Sequence, residues 1–272
     1  MPSTYAHYRM GQEVYKKLKG EEKRVVEAKK ELFDIGLHGP DILFYYKPLF
    51  MNGINQVGYG MHAVPGMDFF KKAAGILESS RDRKACRAYI YGFICHFALD
   101  VTCHGYIDEK IAASGISHTE IEVEFDRELM IMDGYEPVTH NLTGHIHATK
   151  ENAEVIQNFF AGVSSIQVQK ALEGMISYNK LLIAPSHIKR CLIYALLKAT
   201  GNYKEMHGLL VNYEKNPMCG DSNKKLMELY MQAEILAVRL IEDYMDSARG
   251  IIPYHEKYHY TFGSQLGGEY EI

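Results

Sequence analysis

This 272-residue chain lacks long apolar runs, a basic excess and paired cysteines, and each of these absences argues against a class of protein. No run of about 18 apolar residues occurs, so a membrane-spanning helix is not predicted. The net charge of -4 leaves no basic excess, which argues against a dedicated nucleic-acid-binding protein. The five cysteines form no Cys-x-x-Cys pair, and their odd number is typical of free thiols in a reducing compartment.

The start of the sequence also lacks the charged and then apolar pattern of a secretory leader. Its first 19 residues are polar and periodic instead. Because neither a leader nor an apolar span is found, the sequence predicts a cytoplasmic protein without a transmembrane segment.

Segments with the alternating pattern of a β-strand are missing as well, whereas helical periodicity recurs along the whole chain. We therefore expect an all-α helical bundle that forms a single domain over residues 1–272, with an irregular tail after about residue 253. The predicted helices cover residues 21–33, 81–113, 118–132, 150–160, 165–178, 187–200 and 222–249. A long loop is predicted over residues 36–66, and loops of this length in compact domains are usually functional or disordered.

The feature that carries chemistry is a row of three ligand-type side chains, His96, Asp100 and His104. A spacing of four residues keeps all three on one face of a helix with 3.6 residues per turn. The row is roughly 12 Å long at about 1.5 Å per residue, so its two ends cannot serve one ion with bonds near 2 Å. More than one metal ion is therefore predicted, and Asp100 could bridge neighbouring ions. His118 and Glu122, also four residues apart, are the obvious partners of His104.

A simpler interpretation is that these residues are unrelated polar side chains on the surfaces of two helices. The setting of the row argues against it, because residues 89–100 form an apolar stretch that we expect to be buried. Buried charges need a partner or a metal. Further donors are offered by Asp41 and His62 in the predicted loop and by His7 near the N-terminus.

Taken in chain order, these residues resemble the zinc-dependent phospholipase C and S1/P1 nuclease family, an all-α fold with a trinuclear zinc site. The elements that match are Thr4-Tyr-Ala-His7, Gly39-Pro-Asp41, Met61-His62, the row at 96, 100 and 104, and the pair at 118 and 122. The resemblance covers roughly the first half of the chain.

The resemblance implies a role for each ligand and up to three zinc ions. One zinc would be held by Asp41, His62, His96 and Asp100. A second zinc would be held by His104, His118 and Glu122. A third would share Asp100 and add His7.

The family completes its third zinc with a terminal tryptophan that is exposed when a leader is removed, and this chain has no tryptophan. Pro2 lies five residues before His7, and an initiator methionine is normally lost before proline. We therefore hypothesise that the free amine of Pro2 is a ligand of the third zinc. Water, or no ligand at all, is the open alternative.

The activity implied by the resemblance is zinc-dependent hydrolysis of a phosphoester, with a phospholipid or another phosphodiester as substrate. Zinc ions bridged by Asp100 would hold a hydroxide at neutral pH and clamp the oxygens of an in-line displacement. Asp41 would orient that nucleophile or act as its base. These two carboxylates are the predicted catalytic residues.

Substrate contacts are predicted for three aromatic residues of the loop, Phe44, Tyr45 and Tyr59. Aromatic faces can stack on a nucleobase or surround a quaternary ammonium group such as choline, and both options remain open. Tyr59 lies three residues before His62, like an aromatic residue of the choline pocket in the phospholipase branch. Packing on the helix bundle is the alternative for each ring.

Of three alternatives to a phospholipase, two remain open and one is excluded. A single-strand nuclease or nucleotidase of the same fold would take nucleic acid as a substrate only. A noncatalytic metal-binding helical protein would keep the ligands without the activity. An HD-type phosphohydrolase is excluded, because no His-Asp dipeptide occurs in the sequence. The oligomeric state is not predicted.

Overall fold

Helices account for nearly all of the regular structure of this chain. The structure is a computed structural model that describes residues 4–266, apart from the side chain of residue 205. Within that range it contains twelve α-helices and no strand, which confirms the all-α fold predicted from the sequence. None of the helices between residues 4 and 266 is both long enough and apolar enough to cross a bilayer.

The α-helices are numbered here in chain order. They are α1 (Thr4–Lys17), α2 (Gly20–Ala28), α3 (Lys30–Gly36), α4 (Gly53–His62), α5 (Gly66–Ser79), α6 (Arg83–Ser114), α7 (His118–Met132), α8 (Lys150–Ile156), α9 (Ser165–Leu182), α10 (His187–Ala199), α11 (Tyr203–Met206) and α12 (Gly220–Ala248). Short 3-10 helices cover Gly39–Tyr45, Gln157–Phe159, His207–Leu209, Pro217–Cys219 and Glu256–His259. Two isolated bridges join Pro65 to Thr261 and Tyr260 to Leu266.

Helix α6 is the element around which the others pack. Every residue from 88 to 101 is buried, so this part of the helix is covered on all sides. Helices α1, α2, α3, α5, α7, α8 and α12 all contact it. A helix that is apolar on every face is stable only when it is surrounded in this way, because each exposed face would leave apolar surface in water.

The tightest contact on α6 is its crossing with α3. A Cβ atom at Gly92 would lie 2.1 Å from the carbonyl oxygen of Phe33, and one at Gly36 would lie 2.3 Å from the carbonyl oxygen of Tyr89. Only glycine allows the two backbones to approach so closely. The 3-10 helix Gly39–Tyr45 follows three residues after α3, so this crossing places it beside the middle of α6.

Two predictions of local structure are wrong. The single helix predicted over residues 21–33 is divided into α2 and α3 at Lys29, which has φ -140° and ψ 45°. The loop predicted over residues 36–66 contains the 3-10 helix Gly39–Tyr45 and the whole of α4. Three glycines give α4 a low intrinsic helix propensity, and its stability comes from a capping box between Asn52 and Asn55 and from packing on the 3-10 helix.

The segment after α12 returns to the middle of α6. The rings of Tyr258 and Phe262 are buried against Phe97, with centroid distances of 5.5 and 5.1 Å. The Ser264 hydroxyl donates to the carbonyl oxygens of Asp100 and Val101 at 3.2 and 2.9 Å. This segment therefore covers α6 at the level of the ligand row.

A substitution at the helix crossing tests this packing. We expect Gly92→Ala to lower the free energy of unfolding by roughly 1–3 kcal/mol, because the added methyl group meets the Phe33 carbonyl and forces α3 away from α6. Gly75→Ala is the matched control, since Gly75 is exposed on α5 and no atom lies within 4 Å of the place that its added methyl group would take. Urea denaturation of both variants gives the comparison, and equal stabilities would contradict the close crossing.

Candidate metal centre

Eight ligand-type side chains from five parts of the chain come together in three groups. In each group the donor atoms lie within 4.8 Å of one another. The groups are His7, His96 and Asp100; Asp41, His62 and His96; and His104, His118 and Glu122. They contain every metal ligand predicted from the sequence except Pro2, which lies outside the described residues.

Asp100 connects the first two groups through its two oxygens. Its Oδ1 lies 3.3 Å from His7 Nε2, while its Oδ2 lies 3.1 Å from His96 Nε2 and 3.8 Å from His62 Nε2. The same Nε2 atom of His62 lies 3.0 Å from Asp41 Oδ1. A single carboxylate thus presents one oxygen to each of two neighbouring groups.

The third group lies between α6 and α7. Glu122 Oε1 is 3.0 Å from His118 Nε2 and 3.5 Å from His104 Nε2. His118 and Glu122 are four residues apart on α7, so both face α6 at the position of His104.

Backbone groups fix the orientation of two of the imidazole rings. His104 Nδ1 lies 2.8 Å from the carbonyl oxygen of Phe262, and His62 Nδ1 lies 2.9 Å from that of Gly58. A carbonyl can only accept, so each Nδ1 carries a hydrogen and Nε2 is the nitrogen that faces the group and is available to a metal. Imidazole ligands of metals are commonly held in this way.

Other contacts place the remaining ligands. Asp126 on α7 accepts hydrogen bonds from the backbone of Tyr5 and Ala6 at 2.9 and 2.7 Å, which holds the N-terminal end of α1 and therefore His7. Gly39 has a φ of 49°, and a Cβ atom there would lie 2.2 Å from the ring of His96. Glycine is needed at this position both for the backbone conformation and for the contact.

The donor atoms of these groups fit a metal. Four buried donor atoms form no hydrogen bond with the described residues: Asp41 Oδ1, His96 Nε2, His118 Nε2 and Glu122 Oε2. Within the same part of the chain, no Lys or Arg nitrogen lies within 4.0 Å of the carboxylates of Asp41, Asp100 or Glu122. Buried charges without such partners are costly, and a set of imidazole and carboxylate donors is the kind that zinc prefers.

The pKa values of the third group and of its neighbour Asp100 follow from burial and charge. Burial raises the pKa of Asp100, but His96 and His104 outweigh this effect and hold the pKa well below its usual range. The pKa of Glu122 is likewise raised by burial and lowered, on balance, by His118 and His104. Burial lowers the pKa of His104, whereas Asp100 and Glu122 raise it, and the result is a pKa of about 10. Without metal, the carboxylates are ionised and His104 is protonated at neutral pH.

The groups open onto a cleft with a volume of about 210 Å³. Its lining residues are Asp41, Phe44, Tyr59, His62, Asp100, His104, Asp108, His118, Glu122 and Gly263. Phe44 and Tyr59 stack on each other with a centroid distance of 4.2 Å and an interplanar angle of 17°. The cleft therefore has ligand-type side chains together with one aromatic pair.

Tyr45 does not line this cleft. Its ring is buried, and its hydroxyl accepts a hydrogen bond of 3.3 Å from the side-chain amide of Asn179. Neighbouring residues of a 3-10 helix point in different directions, which is why Phe44 lines the cleft and Tyr45 packs against α9. Of the three rings predicted to contact a substrate, those of Phe44 and Tyr59 line the cleft.

Three contributors to the site were not predicted from the sequence: Asp108 and Gly263 line the cleft, and Phe262 contacts His104 through its backbone. Asp108 continues the row of His96, Asp100 and His104 at the same spacing of four, and that spacing could have identified it. Phe262 acts through its backbone carbonyl, for which the sequence carries no signal. Phe262 falls in the segment after residue 253, which the sequence predicts to be irregular.

A family model described as "Zinc dependent phospholipase C" matches residues 6–173, which is more than half of the chain. This range contains all eight side chains of the three groups. Searches of curated proteins and of solved structures return no significant match.

Proton release tests the environment of His104. Zinc binds the neutral imidazole, so we expect metal uptake at pH 7 to displace the proton that the raised pKa of His104 retains, and zinc affinity to fall as the pH is lowered. Calorimetric titration of metal-free protein in buffers of different ionisation enthalpy counts the protons. The His104→Gln variant should release about one proton fewer than the wild type.

The exposed His187, which belongs to none of the three groups, provides the control. The His187→Gln variant should release as many protons as the wild type. If the His104→Gln variant did so too, the protonated state of His104 would be contradicted.

Proposed function

Because the chain belongs to the zinc-dependent phospholipase C family, we propose that it uses zinc to hydrolyse a phosphodiester bond of a phospholipid. Family membership and the three groups of ligand-type side chains support a metal-dependent phosphoesterase. The observation that carries the proposal further is that six of these side chains line the same cleft as the stacked rings of Phe44 and Tyr59.

We assign the zinc ligands as follows. One ion is held by Asp41, His62, His96 and Asp100, a second by His104, His118 and Glu122, and a third by His7 together with Asp100. The assignment is supported by the way the two oxygens of Asp100 face different histidines and by the buried donor atoms that satisfy no hydrogen bond with the described residues. Pro2 remains a proposed ligand of the third ion.

When bound, zinc ions polarise the phosphoryl oxygens and bring the pKa of a water molecule toward neutrality. The side chains supply orientation. Asp41 keeps an ionised carboxylate, because the lowering of its pKa by His96 and His62 outweighs the effect of burial, and it can accept a hydrogen bond from the attacking water. The oxygen of water adds to phosphorus and the bond from phosphorus to the glycerol oxygen breaks. One water proton ends on the glycerol oxygen, which gives diacylglycerol, and the other stays with the phosphorylated alcohol.

The cleft favours a head group with a positive charge. Asp108 is the one acidic lining residue that belongs to none of the three ligand groups among the described residues, so it keeps its charge when zinc neutralises the others. Aromatic faces such as those of Phe44 and Tyr59 attract quaternary ammonium ions. A polynucleotide would place further phosphates near Asp108, and the repulsion disfavours a nuclease.

Metal removal and one ligand substitution test the activity. Zinc-loaded protein should hydrolyse phosphatidylcholine and bis-p-nitrophenyl phosphate, and a chelator should abolish both activities. We expect Asp100→Asn to lower the rates by roughly 100-fold or more, because Asp100 contributes to two ligand groups. Asp68→Asn, an exposed position on α5, should leave them unchanged.

The same assays separate the alternatives. Activity on single-stranded DNA but not on phosphatidylcholine would replace the proposal with a nuclease. A zinc-loaded protein that is inactive on all three substrates would be a noncatalytic metal-binding protein.

Head-group preference tests Asp108. We expect Asp108→Asn to lower the ratio of hydrolysis rates for phosphatidylcholine over phosphatidylglycerol by roughly 2- to 5-fold, as is typical for the loss of one exposed charge. Glu109→Gln is the matched control, because Glu109 is exposed on the same turn of α6 but does not line the cleft. An equal change in both variants would show that Asp108 acts only through the overall charge.

A further inference from the structure

Three consecutive apolar side chains project into water from the turn between the 3-10 helix Gly39–Tyr45 and α4. Leu49, Phe50 and Met51 are exposed by 51%, 76% and 65%. Single exposed apolar residues are common on protein surfaces, but a run of three large ones is not, and it marks an interaction site.

The loop that carries these residues is held by hydrogen bonds. The amide of Phe50 donates to the carbonyl oxygen of Lys47 at 3.2 Å, and the carbonyl oxygen of Phe50 accepts from the side-chain amides of Asn52 and Asn55, both at 3.0 Å. Asn52 also donates to the carbonyl oxygen of Tyr46 at 2.9 Å. The exposed side chains therefore belong to a turn whose backbone is held by hydrogen bonds.

The backbone of this turn includes an unfavourable conformation. Lys47 has a φ of 49°, in the left-handed region that residues with a Cβ atom rarely adopt. Such strain persists only where the surrounding contacts over-determine the conformation, and it is concentrated at functional sites. Here the conformation keeps apolar side chains in solvent, which folding alone would not favour.

The turn joins two elements that line the cleft. It connects the 3-10 helix that contributes Asp41 and Phe44 to the lining with helix α4, which contributes Tyr59 and His62. Phe44 and Tyr59 stack, so the two elements that the turn joins meet at the aromatic wall of the cleft. A surface that contacts this turn therefore contacts the segment that links the two halves of that wall.

We propose that Leu49, Phe50 and Met51 insert into the lipid–water interface and bring the cleft to its substrate. This inference rests on the proposed phospholipid substrate, because an extended lipid aggregate is then the surface that the cleft must approach. Lys47, at the start of the turn, suits the anionic phosphate groups of that surface. A second copy of the chain is the competing occupant, and the experiment separates the two.

The test compares two double variants. Phe50→Ser with Met51→Ser removes the two most exposed of the three apolar side chains of the turn. Ile188→Ser with Leu192→Ser removes residues of similar exposure, 75% and 67%, from α10, which does not line the cleft. Binding to phosphatidylcholine vesicles is measured by co-sedimentation. Hydrolysis is measured both on vesicles and on the water-soluble bis-p-nitrophenyl phosphate.

We expect the variant of the turn to lose at least about 10-fold in vesicle binding and in vesicle hydrolysis, with hydrolysis of the soluble substrate unchanged. The α10 variant should match the wild type in all three measurements. Equal loss of vesicle binding in both variants, or no loss in either, would overturn the docking role. A wild-type dimer in gel filtration that only the turn variant dissociates would assign the surface to a second copy instead and would also overturn it.

The binding measurement does not depend on catalysis. If the wild type binds vesicles through Phe50 and Met51 but hydrolyses no phosphoester, the docking surface is supported and the proposed enzymatic function alone fails.

Discussion

Three buried carboxylates that have no lysine or arginine partner among the described residues are the constraint on which this structure depends. Asp41, Asp100 and Glu122 are each less than 10% exposed. Within the described part of the chain, the basic side chains that lie within 4.0 Å of their carboxylates are all histidines. Ionised groups in such a position require compensating positive charge. Five imidazoles share the three carboxylates, which gives a donor set suited to cations that are not part of the polypeptide.

Helix α6 makes this arrangement possible because its surroundings change along its length. From residue 88 to 101 it is buried on every face, and the ligand row begins inside this dry region with His96. One turn later Asp100 lines the cleft, followed by His104 and then Asp108. One rigid helix therefore sets the spacing between donors deep in the core and the opening where a substrate can enter. Its glycine crossing with α3 brings Asp41 to the same level.

The parts of the site that depend on local spacing could be predicted from the sequence, and the parts that depend on tertiary packing could not. The row on α6 and the bounds of α7 follow from helical periodicity and from the cap at Ser117. Helix α4 was not predicted because its three glycines give it a low intrinsic helix propensity, and tertiary packing stabilises it instead. The different roles of Phe44 and Tyr45 depend on side-chain direction in a 3-10 helix, which composition does not encode.

The contact between the Phe262 carbonyl and His104 also has a consequence for biosynthesis. Chains emerge from the ribosome N-terminal end first, so the seven histidine and carboxylate ligands other than His104 are translated together with it long before residue 262. Until that residue has left the exit tunnel and packed onto α6, the His104 ring has no carbonyl to fix its orientation. This contact on the His104 ring therefore forms only after most of the polypeptide has been made, and a chain that stops short of this segment cannot orient His104 in the same way.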